Sequence, residues 1–209
     1  MAGLITSSKD YKLESAENRP RTSSVDAYFS DPDLLIREYF LSSSAKRAKS
    51  RQTIIERINS FPMSILAVLR WGAGGKTHDS YDGAINLLAE TNSISLLESL
   101  SVTARKFIPM LENPSYRDFT ETCLEILIKA IACAYKVDPI QRYRLIFDVI
   151  PPTNRRTIKA SVIDALLIIA DEIDVNTIKN AVERYTFDKD QYICDYAKEA
   201  LQELNLDLF

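Results

Sequence analysis

The single histidine, His78, is the residue on which metal or nucleophilic chemistry would have to depend. A Ser-His-Asp or Cys-His system needs an imidazole beside its nucleophile, and every cysteine is far from His78 in sequence. His78, Asp79 and Asp82 could supply part of a metal site, but no HxxxH or CxxC spacing accompanies them. We therefore interpret His78 as a solvent-facing loop residue, and we predict no catalytic residue, metal ion or cofactor.

The glycine-rich run GAGGKT at residues 72–77 is a second candidate, for phosphate binding. A P-loop requires glycine five residues before its Gly-Lys pair, and Arg70 occupies that position. The sequence thus predicts a connecting Gly-rich loop over residues 72–83. Anion binding by the backbone amides of this loop is the alternative.

Paired carboxylates occur at Asp171, Glu172 and Asp174, and again at Asp188 and Asp190. Both groups lie at predicted helix boundaries. A carboxylate there accepts hydrogen bonds from unpaired backbone amides and favours the positive end of the helix dipole. Helix capping is therefore the predicted role of these acids, rather than acid–base catalysis.

Basic residues form the clearest pattern. Residues 37–76 contain eight basic residues and two acids, a net charge of +6. Because the whole chain carries −3, the remaining residues carry a net charge of −9. Four of the eight lie at the predicted start of a helix. A cation there is unfavourable, because the N-terminus is the positive end of the helix dipole. A second group surrounds one inter-helix turn and could extend a positive strip along one edge. The predicted partner-binding residues are Lys46, Arg47, Lys49, Arg51, Arg142, Tyr143, Arg144, Arg155, Arg156 and Lys159.

Composition indicates an ordinary globular protein without a β-rich fold. Of the 209 residues, 46% are hydrophobic and 26% charged, and only five are glycine. No run approaches the roughly 20 apolar residues of a membrane span, and the first residues lack a long apolar core. The three cysteines, an odd number within apolar helical patterns, favour free thiols in a reducing compartment. We predict a cytoplasmic protein without membrane contact.

Apolar periodicity and helix breakers divide the chain into four parts. Residues 1–25 are polar and predict a disordered or loosely ordered tail. Residues 26–71 predict an N-terminal helical portion, residues 72–83 the Gly-rich loop, and residues 84–209 a series of helical repeats. The predicted fold class is all-α.

The repeats are suggested by similar triplets on three predicted helices. An acid, an apolar residue and leucine recur at residues 125–127, 164–166 and 199–201, at offsets of 39 and then 35 residues. Two helices per ~35–40 residues fit a helical-repeat protein, because one helix pair cannot bury both of its apolar stripes. An irregular bundle of similar amphipathic helices is the alternative.

The stretch DKDQYICDYAKEALQEL, residues 188–204, resembles the second helix of a HEAT/armadillo-type repeat, and RRTIKASVIDALLIIADEI matches more loosely. The resemblance covers about residues 115–205. It implies an α-solenoid of right-handed stacked helix pairs with a concave ligand-binding face, and it implies no catalytic residues.

Three functions follow in order of preference. The first is a non-catalytic scaffold or adaptor that binds another protein through its concave face or a basic edge. The second is a nucleic-acid-binding module that uses the basic clusters of residues 37–76 and 142–159. The third is a helical-repeat lyase or glycosylase with its chemistry in the 72–83 loop. The sequence indicates neither the partner nor the oligomeric state.

Overall fold

The computed structural model describes residues 32–61, 63–74, 78–91, 94–149 and 153–206. All regular elements within these ranges are helical, which confirms the all-α class. The predicted tail, residues 1–25, lies outside the described residues. The ten α-helices are α1 (Pro32–Leu41), α2 (Ser44–Ser60), α3 (Ser64–Gly74), α4 (His78–Ala89), α5 (Ile94–Phe107), α6 (Arg117–Ala132), α7 (Pro139–Val149), α8 (Arg156–Ile168), α9 (Val175–Glu183) and α10 (Gln191–Leu206).

Acidic residues begin several of these helices as the sequence predicted. The Asp174 carboxylate accepts a hydrogen bond from the amide of Thr177 at 3.1 Å and caps α9. Asp138 accepts from the Gln141 amide in the same way, with Pro139 as the first residue of α7. Asp190 accepts from the Tyr192 amide at the start of α10. The capping interpretation is therefore confirmed at Asp174 and Asp190.

The Gly-rich loop was predicted too long. Helix α3 runs to Gly74 and α4 begins at His78, so the loop interpretation is wrong for residues 72–74 and 78–83. A Cβ on Gly72 would lie 2.5 Å from the Ala84 Cβ and 3.1 Å from the Ile126 Cδ1. This glycine therefore lets α3 approach α4 and α6 closely. Residues 75–77, which include the Gly-Lys pair, lie outside the described residues.

Four helices, α4, α6, α8 and α10, pack side by side in sequence order. Helices α5 and α7 pack against each other and against α6, while α9 packs against α8 and α10. The central helices α6 and α8 bury Leu127 and Leu166 completely, as expected for helices with neighbours on several sides. Ile168 at the end of α8 is an exception, with 43% of its surface exposed.

The N-terminal helices belong to the same core as the predicted repeats. Helix α3 packs against α1, α4 and α6, and α1 packs against α2. Ile36, Ile58 and Ile65 from these helices are buried in one continuous cluster with Leu127 and Leu166. The core therefore positions one row of four helices and attaches α1–α3 to its beginning.

Candidate interaction surface

Arg142, one of the predicted partner-binding residues, is fully buried. Its Nε donates to the Val137 carbonyl at 3.0 Å and its Nη1 to the Ala132 carbonyl at 2.6 Å, while its Nη2 pairs with the Glu172 carboxylate. Ala132 is the last residue of α6, so Arg142 satisfies a carbonyl that has no partner within the helix. The prediction that Arg142 binds a partner is corrected: its guanidinium holds the α6–α7 turn together.

Tyr143 and Arg144 follow Arg142 on α7 and line a groove of about 550 Å³ between the starts of α7 and α9. The Tyr143 ring packs on Phe147, with 4.7 Å between the ring centroids. Arg144 is exposed. Ile140 and Ile173 give the groove an apolar lining. Both predicted residues therefore lie on a surface, but Arg142 does not join them there.

The remaining cations of this cluster are paired with carboxylates. Arg155 donates to the Leu111 carbonyl at 3.1 Å and lies 3.6 Å from the Glu121 carboxylate. Arg156 donates to both carboxylate oxygens of Asp190, at 2.7 and 3.0 Å, and the Lys159 ammonium lies 2.6 Å from the Asp188 carboxylate; these acids lie 29 to 34 residues further along the chain. These pairs link α8 to its neighbours, so the cluster at residues 142–159 does not present a continuous positive strip.

The Lys159–Asp188 pair is largely enclosed, with side-chain exposures of 12% and 14%. Desolvation acts to raise the pKa of Asp188. Hydrogen bonds from Lys159 and from the Asp190 amide outweigh it, so the pKa lies below its ordinary value. The pKa of Asp190 is also lowered, mainly by its hydrogen bond from Arg156. Both carboxylates are therefore held in their charged form.

The N-terminal cluster differs in its contacts. Arg51 donates to both Glu90 carboxylate oxygens, at 2.8 and 2.6 Å, and to the Tyr39 hydroxyl at 3.3 Å. The hydrogen bonds that Arg51 donates to Glu90 raise the pKa of Arg51. Arg47 is half-buried, whereas Lys46 and Lys49 are exposed. Arg47 and Arg51 line one wall of a groove of about 430 Å³ whose other wall is formed by α4.

A polar ladder across α4, α6, α8 and α10 was not identified from the sequence. The Tyr81 hydroxyl donates to the Glu125 carboxylate at 3.4 Å, and the Lys129 ammonium lies 3.2 Å from the Asp164 carboxylate. Tyr196 on α10 donates to the other oxygen of Asp164. One feature of the sequence could have indicated this ladder. Acids recur in the similar triplets of the predicted helices, and Glu125 and Asp164 occupy equivalent positions 39 residues apart.

Aromatic rings extend this ladder to the surface of α10. The Tyr192 and Tyr196 rings stack with 6.0 Å between their centroids, and the Arg156 guanidinium lies 5.2 Å from the Tyr192 centroid. Tyr192 is 53% exposed. We name this surface the four-helix face and define it as Tyr81, Glu125, Lys129, Asp164, Tyr192 and Tyr196.

Burial and hydrogen bonding fix the protonation of this face. Desolvation raises the pKa of Glu125 above its ordinary value, against the opposing effect of Lys129. The pKa of Tyr81 is raised by burial and by Glu125, and the pKa of Tyr196 chiefly by its hydrogen bond to Asp164. Both tyrosines therefore remain hydroxyl donors. The face offers aromatic surface and fixed hydrogen-bonding groups, a combination suited to recognition.

The thiols and acids outside this face give no candidate metal centre. Among the described residues, no three His, Cys, Asp or Glu side chains lie together in a way that could hold an ion. The three cysteines are free, and burial raises the pKa of Cys123 to about 12. The side chain of His78 lies outside the described residues.

No helix in the described ranges combines the length and the apolar character required to cross a membrane. Comparison of the chain with protein-family models, with curated proteins and with solved structures finds no match.

Proposed function

We propose that the protein is a non-catalytic helical-repeat scaffold of the cytoplasm that binds another protein through its four-helix face. The observation that carries this proposal is the ladder of two hydrogen bonds and one ion pair that crosses α4, α6, α8 and α10, with the exposed Tyr192 stacked on its last member, Tyr196. Free cysteines fit the cytoplasmic location.

The order of the four helices supports the repeat interpretation. They lie side by side in sequence order, and two acids of the ladder, Glu125 and Asp164, occupy equivalent positions of the proposed sequence repeat. In a repeat protein each unit contacts its neighbours, and the exposed side of the row forms an extended binding surface. Under this proposal, the four-helix face is that surface.

The side chains on the face favour binding over catalysis. Tyrosine supplies a large rigid contact area with a polar tip and is enriched at energetically important interface positions. Contacts between helices already restrain Tyr81, Lys129 and Tyr196, so less side-chain entropy is lost on binding. Glu125 and Asp164 accept hydrogen bonds or ion pairs from neighbouring helices, which occupies them structurally.

Affinity capture with a matched control tests the proposal. Wild type, Tyr192→Ala and Tyr135→Ala are each used as bait in lysate from the encoding organism, and retained proteins are quantified by mass spectrometry. Tyr135 is 66% exposed and lies outside the ladder, so its loss removes a comparable tyrosine elsewhere. We expect a protein that wild type and Tyr135→Ala retain and that Tyr192→Ala binds roughly tenfold more weakly. Identical protein sets for the three baits would contradict the proposal.

The nucleic-acid-binding alternative loses part of its basis. It relied on the cations of residues 142–159. Four of these are paired with carboxylates: Arg142, Arg155, Arg156 and Lys159. The N-terminal cluster and the exposed Arg144 remain in its favour.

A further inference from the structure

The first half of α2, residues 44–53, is held to the protein by few buried contacts. Each of these residues is exposed or half-buried, and the buried positions of the helix begin at Ile54. Leu41, just before the helix, is also 66% exposed. We name residues 44–53 the basic arm, because its charged residues are Lys46, Arg47, Lys49 and Arg51.

The charge of the basic arm does not help its own helix. The first turn of α2 contains no acidic residue, and Ser43 at its N-cap makes no side-chain capping hydrogen bond. Cations near a helix N-terminus oppose the dipole, and acids would be favourable there. By contrast, Asp174 caps α9 through the Thr177 amide. Formation of this helix therefore gives no reason for Lys46 and Lys49.

Within the described residues, ion pairing neutralises part of this charge. Glu90 pairs with Arg51 through both of its oxygens. Arg47 lines the groove that contains Asp82 on the α4 side. Lys46 and Lys49 are exposed on the arm, one helical turn apart. The outer part of the arm therefore presents positive charge to solvent.

We propose that the basic arm is a second docking site, which takes a short acidic segment of another protein. Acidic side chains of such a segment pair with Lys46 and Lys49 and offset the unfavourable helix dipole. This site lies outside the four-helix face, so the proposal goes beyond the scaffold function and does not depend on it.

Two other anionic partners fit the surroundings less well. A nucleic acid gains its affinity from many phosphate contacts, whereas the arm offers two exposed lysines beside a groove that also contains the exposed Asp82. A membrane surface requires large apolar side chains beside the cations. The exposed neighbours of the two lysines on the arm are instead Ala45, Ala48, Gln52 and Thr53.

Fluorescence anisotropy with defined probes tests this proposal. The probes are a labelled peptide of alternating glutamate and alanine, its glutamine counterpart, and an oligothymidylate of matching net charge. The proteins are the full chain, the double variant Lys46→Glu/Lys49→Glu, and the control Lys106→Glu/Lys136→Glu. The control makes the same charge change at exposed lysines elsewhere. Circular dichroism and thermal melting establish that both variants fold.

We expect the acidic peptide to bind the full chain and the control about equally, and to bind the arm variant roughly tenfold more weakly or worse. Binding should weaken as salt rises from about 50 to about 200 mM, because the contacts are ionic and exposed. The glutamine peptide should not bind.

Three outcomes would overturn the proposal. The first is absence of peptide binding at low salt, or an equal loss in the control, which would mean that the arm is not a specific site. The second is tighter binding of the oligothymidylate, which would assign the arm to nucleic acid. The third is salt-sensitive dimerisation in sedimentation that depends on Lys46 and Lys49, which would make a second copy the occupant. None of these results bears on Tyr192, so the scaffold function is tested separately.

Discussion

The basic residues at 142–159 and those at 46–51 contain similar side chains, but their contacts differ. Arg142 is buried against two backbone carbonyls and Glu172, and Lys159 is enclosed with Asp188. Lys46 and Lys49 are exposed on a half-helix whose dipole they oppose. Most cations of the first cluster therefore join helices to each other, whereas Lys46 and Lys49 of the second offer charge to the solvent.

This difference shows that local charge density in a sequence does not identify a binding surface. What decides the role of a cation is whether an acceptor reaches it from another helix. The acids that pair with Arg156 and Lys159 lie 34 and 29 residues away, and Arg51 meets Glu90 39 residues away. Such pairs arise only when the helices pack.

The largest expected effect comes from Arg142→Ala. The change leaves two buried carbonyls and Glu172 without their donor and opens a cavity, so we expect a loss of about 3 to 5 kcal/mol in the free energy of unfolding. Arg144→Ala, at an exposed neighbouring position, should change it by less than about 0.5 kcal/mol. Urea denaturation followed by circular dichroism measures both. Equal effects would remove the distinction between internal and surface arginines.

Gly72 and Gly74, both near the end of α3, compare a closely packed position with an open one in the same helix. Gly72→Ala places a methyl group 2.5 Å from the Ala84 Cβ, so it should reduce the free energy of unfolding by about 1 to 3 kcal/mol. Gly74→Ala meets no atom within 4 Å and should be neutral or stabilising by up to about 1 kcal/mol. Thermal melts compare the two variants. A stable Gly72→Ala protein would argue against the close approach of α3 and α4.

Lys159→Met tests the enclosed ion pair, with an expected loss of about 1 to 2 kcal/mol at neutral pH. The pKa of Asp188 is lowered in the folded protein, so its contribution is complete above the unfolded value and is lost as pH falls through the folded value. The difference between wild type and variant should therefore shrink as the pH falls below the ordinary pKa of an aspartate. Chemical denaturation at several pH values measures it. Arg156→Met, at a more exposed pair, should have a smaller effect.

The smallest expected effect is an increase in the free energy of unfolding. Replacing Lys46 by glutamate puts an acid in the first turn of α2, and we expect about 0.3 to 1 kcal/mol of stabilisation at low salt, with less from Lys49→Glu further along the helix. Thermal melting at low and high salt checks this, since the gain should fall as the ionic strength rises. A destabilised double variant would show that the lysines have a structural role, as Lys159 does.

Local sequence patterns were sufficient for most of the fold. Apolar periodicity together with Asp174, Asp138 and Pro139 indicated where α7 and α9 begin, because capping and proline geometry act over a few residues. The same local rules misplaced residues 72–83. There, glycine was interpreted as a helix breaker, whereas packing against Ala84 and Ile126 gives Gly72 a helical position.

Less of the candidate site than of the fold could be predicted from the sequence. The recurring acids aligned Glu125 with Asp164, but nothing in the pattern indicated that Tyr81, Lys129 and Tyr196 would meet them. The arrangement of the repeats as a HEAT/armadillo-type solenoid stays a prediction.

By itself the sequence determined the all-helical class, the capping acids Asp174 and Asp190 and the basic start of α2, because these depend on neighbouring residues. Only the tertiary structure decided that Arg142 is internal, that the cations of α8 are paired, and that a tyrosine–carboxylate ladder crosses four helices. The physical reason is that burial and ion pairing depend on distances between residues far apart in the chain, such as the 29 to 39 positions that separate Lys159, Arg156 and Arg51 from their carboxylates. Helix packing sets those distances, and no local pattern encodes them.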